Sequence, residues 1–160
     1  MTRKLPYRRG VGIVLFNNQG QVFTGQRLDN PGPAWQMPQG GIDEGEAPLD
    51  AALRELHEET GIEKQWVEYL AKSGTWLRYD LPEDLIPSLW NGQFCGQEQL
   101  WFAFRFLGSD KDINIKTIHP EFSQWKWSDF HSISGAIVPF KKSLYDQLIT
   151  EFQYIVKDRK

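Results

Sequence analysis

The stretch that decides the fold is GGIDEGEAPLDAALRELHEETGI, Gly40 to Ile62. From Pro48 to Thr60 the spacing predicts an α-helix, because Leu49, Ala52, Leu53 and Leu56 recur at i, i+3, i+4 and i+7 and form one apolar stripe. Pro48 suits the first turn, where its missing N–H costs nothing. Gly61 suits the left-handed position just past the last turn. Glu55, Glu58 and Glu59 fall at i, i+3 and i+4, on a face roughly 120° from the leucines at about 100° per residue. Like charges at that spacing repel by about 0.2–0.5 kcal/mol per pair. A cation reverses the sign.

Clustered carboxylates are hard oxygen ligands, which suit Mg²⁺ or Mn²⁺. The plainer alternative is a solvated acidic helix face, the usual fate of a charge run. Three neighbours favour the cation: the glycine pair Gly40-Gly41, Glu46 ahead of the helix, and Arg54 beside the cluster. A guanidinium fork holds a carboxylate in one rotamer. That arrangement serves a site and does little on a plain surface.

Gly40, Glu46, Arg54, Glu55, Leu56, Glu58, Glu59, Gly61 and Ile62 follow the order G-x5-E-x7-R-E-aliphatic-x-E-E-x-G-aliphatic. This order resembles the signature of the Nudix hydrolases at every defined position. The resemblance implies an α/β fold, an α/β/α sandwich with a mixed β-sheet, a central metal-binding loop-helix-loop and a C-terminal helix. It also implies cleavage of a nucleoside diphosphate joined to another group. By the same resemblance Glu55, Glu58 and Glu59 are metal ligands, one of them also polarising the attacking water, and the Gly40 carbonyl is a further ligand. Glu46 and Arg54 brace the loop, which puts Arg54 among the catalytic candidates.

At 160 residues the chain fits one domain, 1–160, with a core large enough to need no staples. Seven tryptophans and ten phenylalanines supply that core. The single cysteine, Cys95, forms no internal disulfide, and a reducing cytoplasm is the simplest setting. The basic start MTRKLPYRR leads into no long apolar run, so neither a signal peptide nor a membrane span is expected. A net charge of −3 means that a polyanionic substrate must be met by local cations and metal. No protein partner is evident.

Tyr7 to Phe16 reads as a strand, with Val11, Ile13 and Leu15 on one face and Val14 and Phe16 on the other. After the turn Asn17 to Gly20, Gln21 to Arg27 returns as the second strand of a hairpin. Leu28 to Ala34 is a stiff loop, and Trp35 to Pro38 is a short extended piece leading to Gly40. Val67 to Leu77 reads as one or two strands with a break near Ser73-Gly74. Asp80 to Gln97 reads as a long irregular loop, a kind usually functional or mobile. Gln99 to Leu107 is a buried strand, Asp112 to Thr117 a possible short strand, and Glu121 to Trp127 a further one. Phe140, Leu144, Leu148, Phe152 and Ile155 predict a last amphipathic helix from Pro139 to about Val156. Strands with one helix in the middle and one at the end suit a covered mixed sheet.

YRRGVGIVLFN, WQMPQGG, WLRYDLP, GQEQLWF, PEFSQWKW and VPFKK resemble the bacterial Nudix branch that acts on 5′-triphosphate RNA ends and dinucleoside polyphosphates. Arg8, Arg27 and Arg78 are candidate phosphate clamps, each with a surface charge as its alternative. Tyr79 and Phe140 are candidate base-stacking rings, with core packing as the alternative. Lys141 is a candidate phosphate contact, and Gln39, in WQMPQGG, joins the substrate-binding set. In similar enzymes an acidic residue after the sheet joins the metals or takes a proton from water. Glu121 in PEFSQW resembles it. His57 lies toward the leucines, so a packed or capping histidine is expected, and His119 and His131 lack zinc spacing.

The expected reaction is Mg²⁺-dependent, with another divalent metal such as Mn²⁺ able to substitute, and needs no protein nucleophile. On RNA it releases pyrophosphate from the 5′-triphosphate end and leaves a monophosphate. On diadenosine tetraphosphate it yields ATP and AMP. A reading of another class, a silent nucleotide- or RNA-binding regulator, predicts loss of helix carboxylates, and all are present.

Overall fold

β1 (Tyr7–Phe16) carries the sheet, and its alternation sorts the core into two halves. Val11, Ile13 and Leu15 enter one cluster, and Val14 and Phe16 enter the other. The computed structural model describes residues 5–29 and 32–157. Met1 to Lys4 of the basic start and Asn30-Pro31 of the stiff loop lie outside the described residues.

β6 (Gly96–Phe106) runs parallel to β1, paired from Tyr7 with Gly96 to Phe16 with Arg105. A parallel pair cannot be closed by a tight turn. The intervening chain supplies β2 (Gln21–Arg27), β3 (Gln39–Gly41), α1 (Pro48–Thr60), β4 (Val67–Lys72) and β5 (Leu77–Asp80). β7 (Phe122–Asp129) and α2 (Lys142–Lys157) follow. Among the described residues the sheet is mixed and seven-stranded, ordered β4-β6-β1-β2-β7, with β3 on β1 and β5 on β6. The break expected near Ser73 is real, because β4 and β5 each pair with β6.

α1 lays Ala51, Ala52 and Leu56 against the Val11 face, together with Phe23, Phe102 and Phe104. α2 lays Leu144, Leu148, Phe152 and Ile155 against the other face, with Tyr145 edge-on to Trp101. Each such large side chain contributes roughly 1.5–3 kcal/mol on full burial. Docking of α2 onto the sheet follows. The result is the α/β/α sandwich that the sequence resemblance implied. Among the described residues no helix is long and apolar enough to cross a membrane.

Four expectations are corrected. The buried face of α1 is Ala51, Ala52, Leu56, Glu59 and Thr60, while Leu49 is 38% exposed. Arg54 adds polar ties from the helix to the loop ahead of it. His57 is exposed, and its backbone oxygen accepts the Gly61 N–H at 2.8 Å. The β1–β2 hairpin is bonded only at its closed end, near Phe16 and Val22. Beyond it the chain from Gln36 to Gly41 wedges between the strands. Gln36 exchanges hydrogen bonds of 2.8 and 2.9 Å with Gly25, the Ile13 N–H donates to the Pro38 oxygen at 2.9 Å, and β3 pairs with Gly10 to Gly12. Asp112 to Thr117 forms no strand, since the Asn114 N–H donates to the Thr60 oxygen at 2.7 Å and ties the segment to the end of α1.

The long loop holds two 3₁₀ turns, Glu83–Ser88 and Trp90–Gly92. Trp90 and Asn91 have φ of 47° and 58°. Left-handed backbone costs an ordinary L-residue roughly 1–2 kcal/mol. Cys95 is half-buried, its thiol 3.2 Å from the Leu5 carbonyl.

Candidate functional site

α1 starts and stops where its sequence says it should. Pro48 occupies the first turn and Gly61 takes φ 73°, closing the helix with a backbone bond to His57. Ahead of it Arg54 ties the loop. Its Nε and Nη2 donate to the two Glu46 oxygens at 2.8 and 2.9 Å, and Nη2 also donates to the Gly41 carbonyl at 2.9 Å. Glu46 Oε1 accepts the Asp43 N–H at 3.0 Å, so the loop closes on itself. Arg54 Nη1 donates to Glu55 at 2.8 Å and to Glu58 at 3.2 Å. One guanidinium thus hydrogen-bonds three carboxylates and lies 3.6 Å from a fourth, that of Asp43.

The helix carboxylates differ sharply in burial. Glu58 is exposed, Glu55 is half-buried, and Glu59 is 1% exposed with Oε2 lacking any hydrogen-bond partner. Burial, then the charges of Glu55 and Glu121, push the Glu59 carboxyl well above the usual carboxylate range, and the Gln39 N–H offsets part of this. Burial also raises Glu55, against the pull of Arg54. Gly40 faces Glu55 so closely that a Cβ there would lie 2.0 Å from its carboxyl carbon. Among the described residues no three acidic, histidine or cysteine side chains already form a cation cage. A buried carboxylate oxygen with no partner, beside a second carboxylate and a glycine backbone, is nevertheless a donor set that fits a hard divalent cation.

Across β3 from this helix lies a second, cationic group. Lys141 is 5% exposed, its Nζ 3.4 Å from Gln39 Oε1 and 5.1 Å from the Tyr79 ring centre. Burial, then the nearby Arg27 charge, push its ammonium down to about 7. Arg8 Nη1 donates to Gln97 at 3.2 Å, and Gly41 leaves room for the guanidinium, since a Cβ would come within 2.2 Å of Nη2. Among the described residues neither Arg8 nor Lys141 has a carboxylate partner. Arg27 Nε donates to Asp29 at 2.6 Å, and Arg27 also feels the charges of Glu121 and Glu59. Glu121 is exposed, just before β7, and its backbone oxygen accepts the Leu28 N–H at 2.9 Å.

Arg78 does not join this group. It lies on the opposite face of β5 from Tyr79, donating to Glu98 at 3.1 Å and stacked 4.5 Å from the Tyr7 ring. Strand alternation alone separates the two neighbours. Tyr79 is 6% exposed, accepts the Gln97 amide at 2.7 Å, and backs the half-buried Phe140 at 5.8 Å between ring centres. Phe140, not Tyr79, therefore offers a ring to a ligand.

Gln97 and Gln99 were not singled out from sequence. Gln99 Nε2 donates to Gln39 at 3.3 Å, and its carbonyl accepts the Trp101 indole N–H at 3.0 Å. Their sequence signal is a pair of amides spaced i, i+2 on the face of the strand that continues into the buried Trp101 and Ala103. Asp29, only two residues beyond Arg27, was not singled out either, and that i, i+2 spacing of opposite charges is a local signal in the sequence.

Fold and site together define an α/β/α sandwich enzyme with an acidic helix on one side of a glycine strand and, on the other, a cationic group of Arg8, Arg27 and Lys141 in which only Arg27 is in contact with a carboxylate among the described residues. More specifically, the NUDIX domain profile matches residues 6–148, and the chain belongs to the Nudix hydrolase family. It is 54% identical over 149 residues to the RNA pyrophosphohydrolase of Cereibacter sphaeroides, covering 93% of this chain and 92% of that one. To the RNA pyrophosphohydrolase of Rickettsia typhi it is 49% identical over 153 residues, covering 96% and 94%. The fold is similar to that of the E. coli dihydroneopterin triphosphate pyrophosphohydrolase, with a TM-score of 0.70 at 20% identity over 92% of this chain and 99% of that one. Nudix hydrolases as a family use divalent metal ions.

Proposed function

We propose that this protein removes pyrophosphate from the 5′-triphosphate end of RNA and leaves a 5′-monophosphate, using Mg²⁺. The observation that carries this reading is identity of about half, over more than nine-tenths of both chains, to proteins called RNA pyrophosphohydrolase. The geometry supports it. Unpaired Arg8 and Lys141, with Arg27 beside them, suit an anionic phosphate chain, and Phe140 suits the first base.

Glu55, Glu58, Glu59 and the Gly40 carbonyl would hold the metal, with Glu121 reaching the same acidic group from outside the helix. A bound Mg²⁺ supplies charge neutralisation and a more acidic attacking water. Arg8, Arg27 and Lys141 bind phosphate oxygens and offset the charge that gathers on the bridging oxygen as its bond breaks. Gln39 holds Lys141 at the phosphate side, while its N–H steadies Glu59. Glu121 accepts the proton of the attacking water or joins the metal ligands. Arg54 and Glu46 fix the loop. The setting proposed is a reducing cytoplasm, and the whole chain acts as one domain.

A dinucleoside polyphosphate presents the same nucleoside-ended phosphate chain and is the second substrate proposed. The test measures pyrophosphate from a triphosphorylated RNA oligonucleotide, and ATP and AMP from diadenosine tetraphosphate, each with and without Mg²⁺. Mg²⁺-dependent pyrophosphate release is expected. Cleavage of the dinucleotide with RNA left intact would give the main activity to the second reading, and no cleavage of either would leave a silent binding module.

A further inference from the structure

The long loop before β6 bends back through three successive left-handed residues, Trp90, Asn91 and Gly92, with φ of 47°, 58° and 70°. Only the last is a glycine. Hydrogen bonds from the Gly92 N–H to the Leu89 oxygen at 2.9 Å and from the Gln93 N–H to the Trp90 oxygen at 3.2 Å hold the turn. A tryptophan in this backbone state is uncommon and persists only where surrounding contacts over-determine it. Here the turn seats the Trp90 ring on the edge of the α2-side core, with Phe94 edge-on at 6.1 Å. Its face lies 5.1 Å from the Arg8 guanidinium carbon.

Arg8 is thereby bounded by the Gln97 amide, by the bare Cα of Gly41, and by the indole face. The alternatives present elsewhere in the molecule show what the ring achieves. Arg9 and Arg78, on the other face of the sheet, also lie over rings, Trp76 and Tyr7, but both share the carboxylate of Glu98. A carboxylate orients a guanidinium and cancels its charge. An aromatic face orients it and leaves the charge available.

We propose that Trp90 is a positioning residue, whose ring fixes the Arg8 guanidinium toward the substrate phosphates without neutralising it. This rests on the reading of Arg8 as a phosphate-binding cation. It gives the strained turn a purpose and makes the long loop part of substrate recognition.

The test is steady-state kinetics on a triphosphorylated RNA oligonucleotide for Trp90→Leu, Trp90→Phe, Arg8→Ala and the Arg8→Ala/Trp90→Leu double variant. Trp90→Leu keeps apolar bulk and loses the π face, so KM should rise about three- to tenfold with kcat little changed. Trp90→Phe should restore most of the loss. In the Arg8→Ala background Trp90→Leu should add nothing further, because the ring acts through Arg8. Phe and Leu are both apolar, so a common loss of stability leaves their comparison intact. An impaired Arg8→Ala enzyme with a normal Trp90→Leu enzyme overturns the role of Trp90 alone, as does a Trp90→Leu effect that persists undiminished in the double variant. A silent Arg8→Ala variant overturns the phosphate role of Arg8 and the positioning role with it.

Discussion

Gly40 and Glu55 touch backbone to carboxylate. A Cβ on Gly40 would stand 2.0 Å from the Glu55 carboxyl carbon and 2.2 Å from one of its oxygens. The glycine is therefore a steric requirement of the acidic site. Gly40→Ala should displace Glu55 and reduce kcat by about a hundredfold, the scale of a misplacement near 1 Å. Kinetics beside a melting curve will tell, and a Gly40→Ala enzyme with full turnover would separate Glu55 placement from activity.

Glu59 is a buried carboxylate with an unpartnered oxygen, raised by burial and by the charges of Glu55 and Glu121. Without metal, Glu59→Gln should leave the melting temperature equal or higher, because it removes that repulsion. Turnover should nonetheless fall by orders of magnitude. Adding Mn²⁺ should raise the melting temperature of the native protein and not of Glu59→Gln. Equal Mn²⁺ shifts in both proteins would place the ion elsewhere. Glu58→Gln, on the exposed side of the helix, should also lose turnover by orders of magnitude while its fold stays intact.

Arg54 holds the Glu46 carboxyl down from its ordinary 4.5 to about 2. A folded value below the unfolded one gives a contribution that is present above about pH 4.5 and is lost as pH falls toward about 2. Glu46→Gln should therefore show a smaller loss of stability between pH 5 and pH 3 than the native chain, read as urea midpoints. Parallel acid profiles for the two would refute the ion pair as the cause.

Lys141 is pushed down to about 7 by burial and then by Arg27. The unfolded chain binds this proton up to about 10.5, so the Lys141 contribution to stability increases with pH between about 7 and 10.5. A phosphate chain favours the charged form, and substrate binding above pH 7 should take up a proton. Calorimetry at pH 8 in buffers of different ionisation heat should detect this with a non-hydrolysable triphosphate analogue, and Lys141→Met should abolish it. Proton-neutral binding by the native protein would assign the phosphate contact to other cations.

Arg78 sits with Glu98 and Tyr7, away from Arg8. Arg78→Ala should leave KM for triphosphorylated RNA nearly unchanged, whereas Arg8→Ala should raise it. A comparable rise in both would show that the substrate reaches the other face of the sheet.

The sequence by itself determined the local framework. Helix α1 could be bounded from Pro48 and Gly61, its carboxylates placed on one side, and the two faces of β1 assigned residue by residue, because period and capping are encoded within a few positions. What it could not rank was depth. Glu55, Glu58 and Glu59 look alike in sequence, yet only Glu59 is inside.

The tertiary structure decided which charges meet. Arg8, Gln39, Gln97 and Lys141 are far apart in the chain and converge through the parallel β1–β6 register and the wedge from Gln36 to Gly41. The same alternation sends Arg78 away while its neighbour Tyr79 turns in. A strand's period shows that neighbours point oppositely, but which face meets the site depends on pairing partners many residues distant, and no local pattern carries that information.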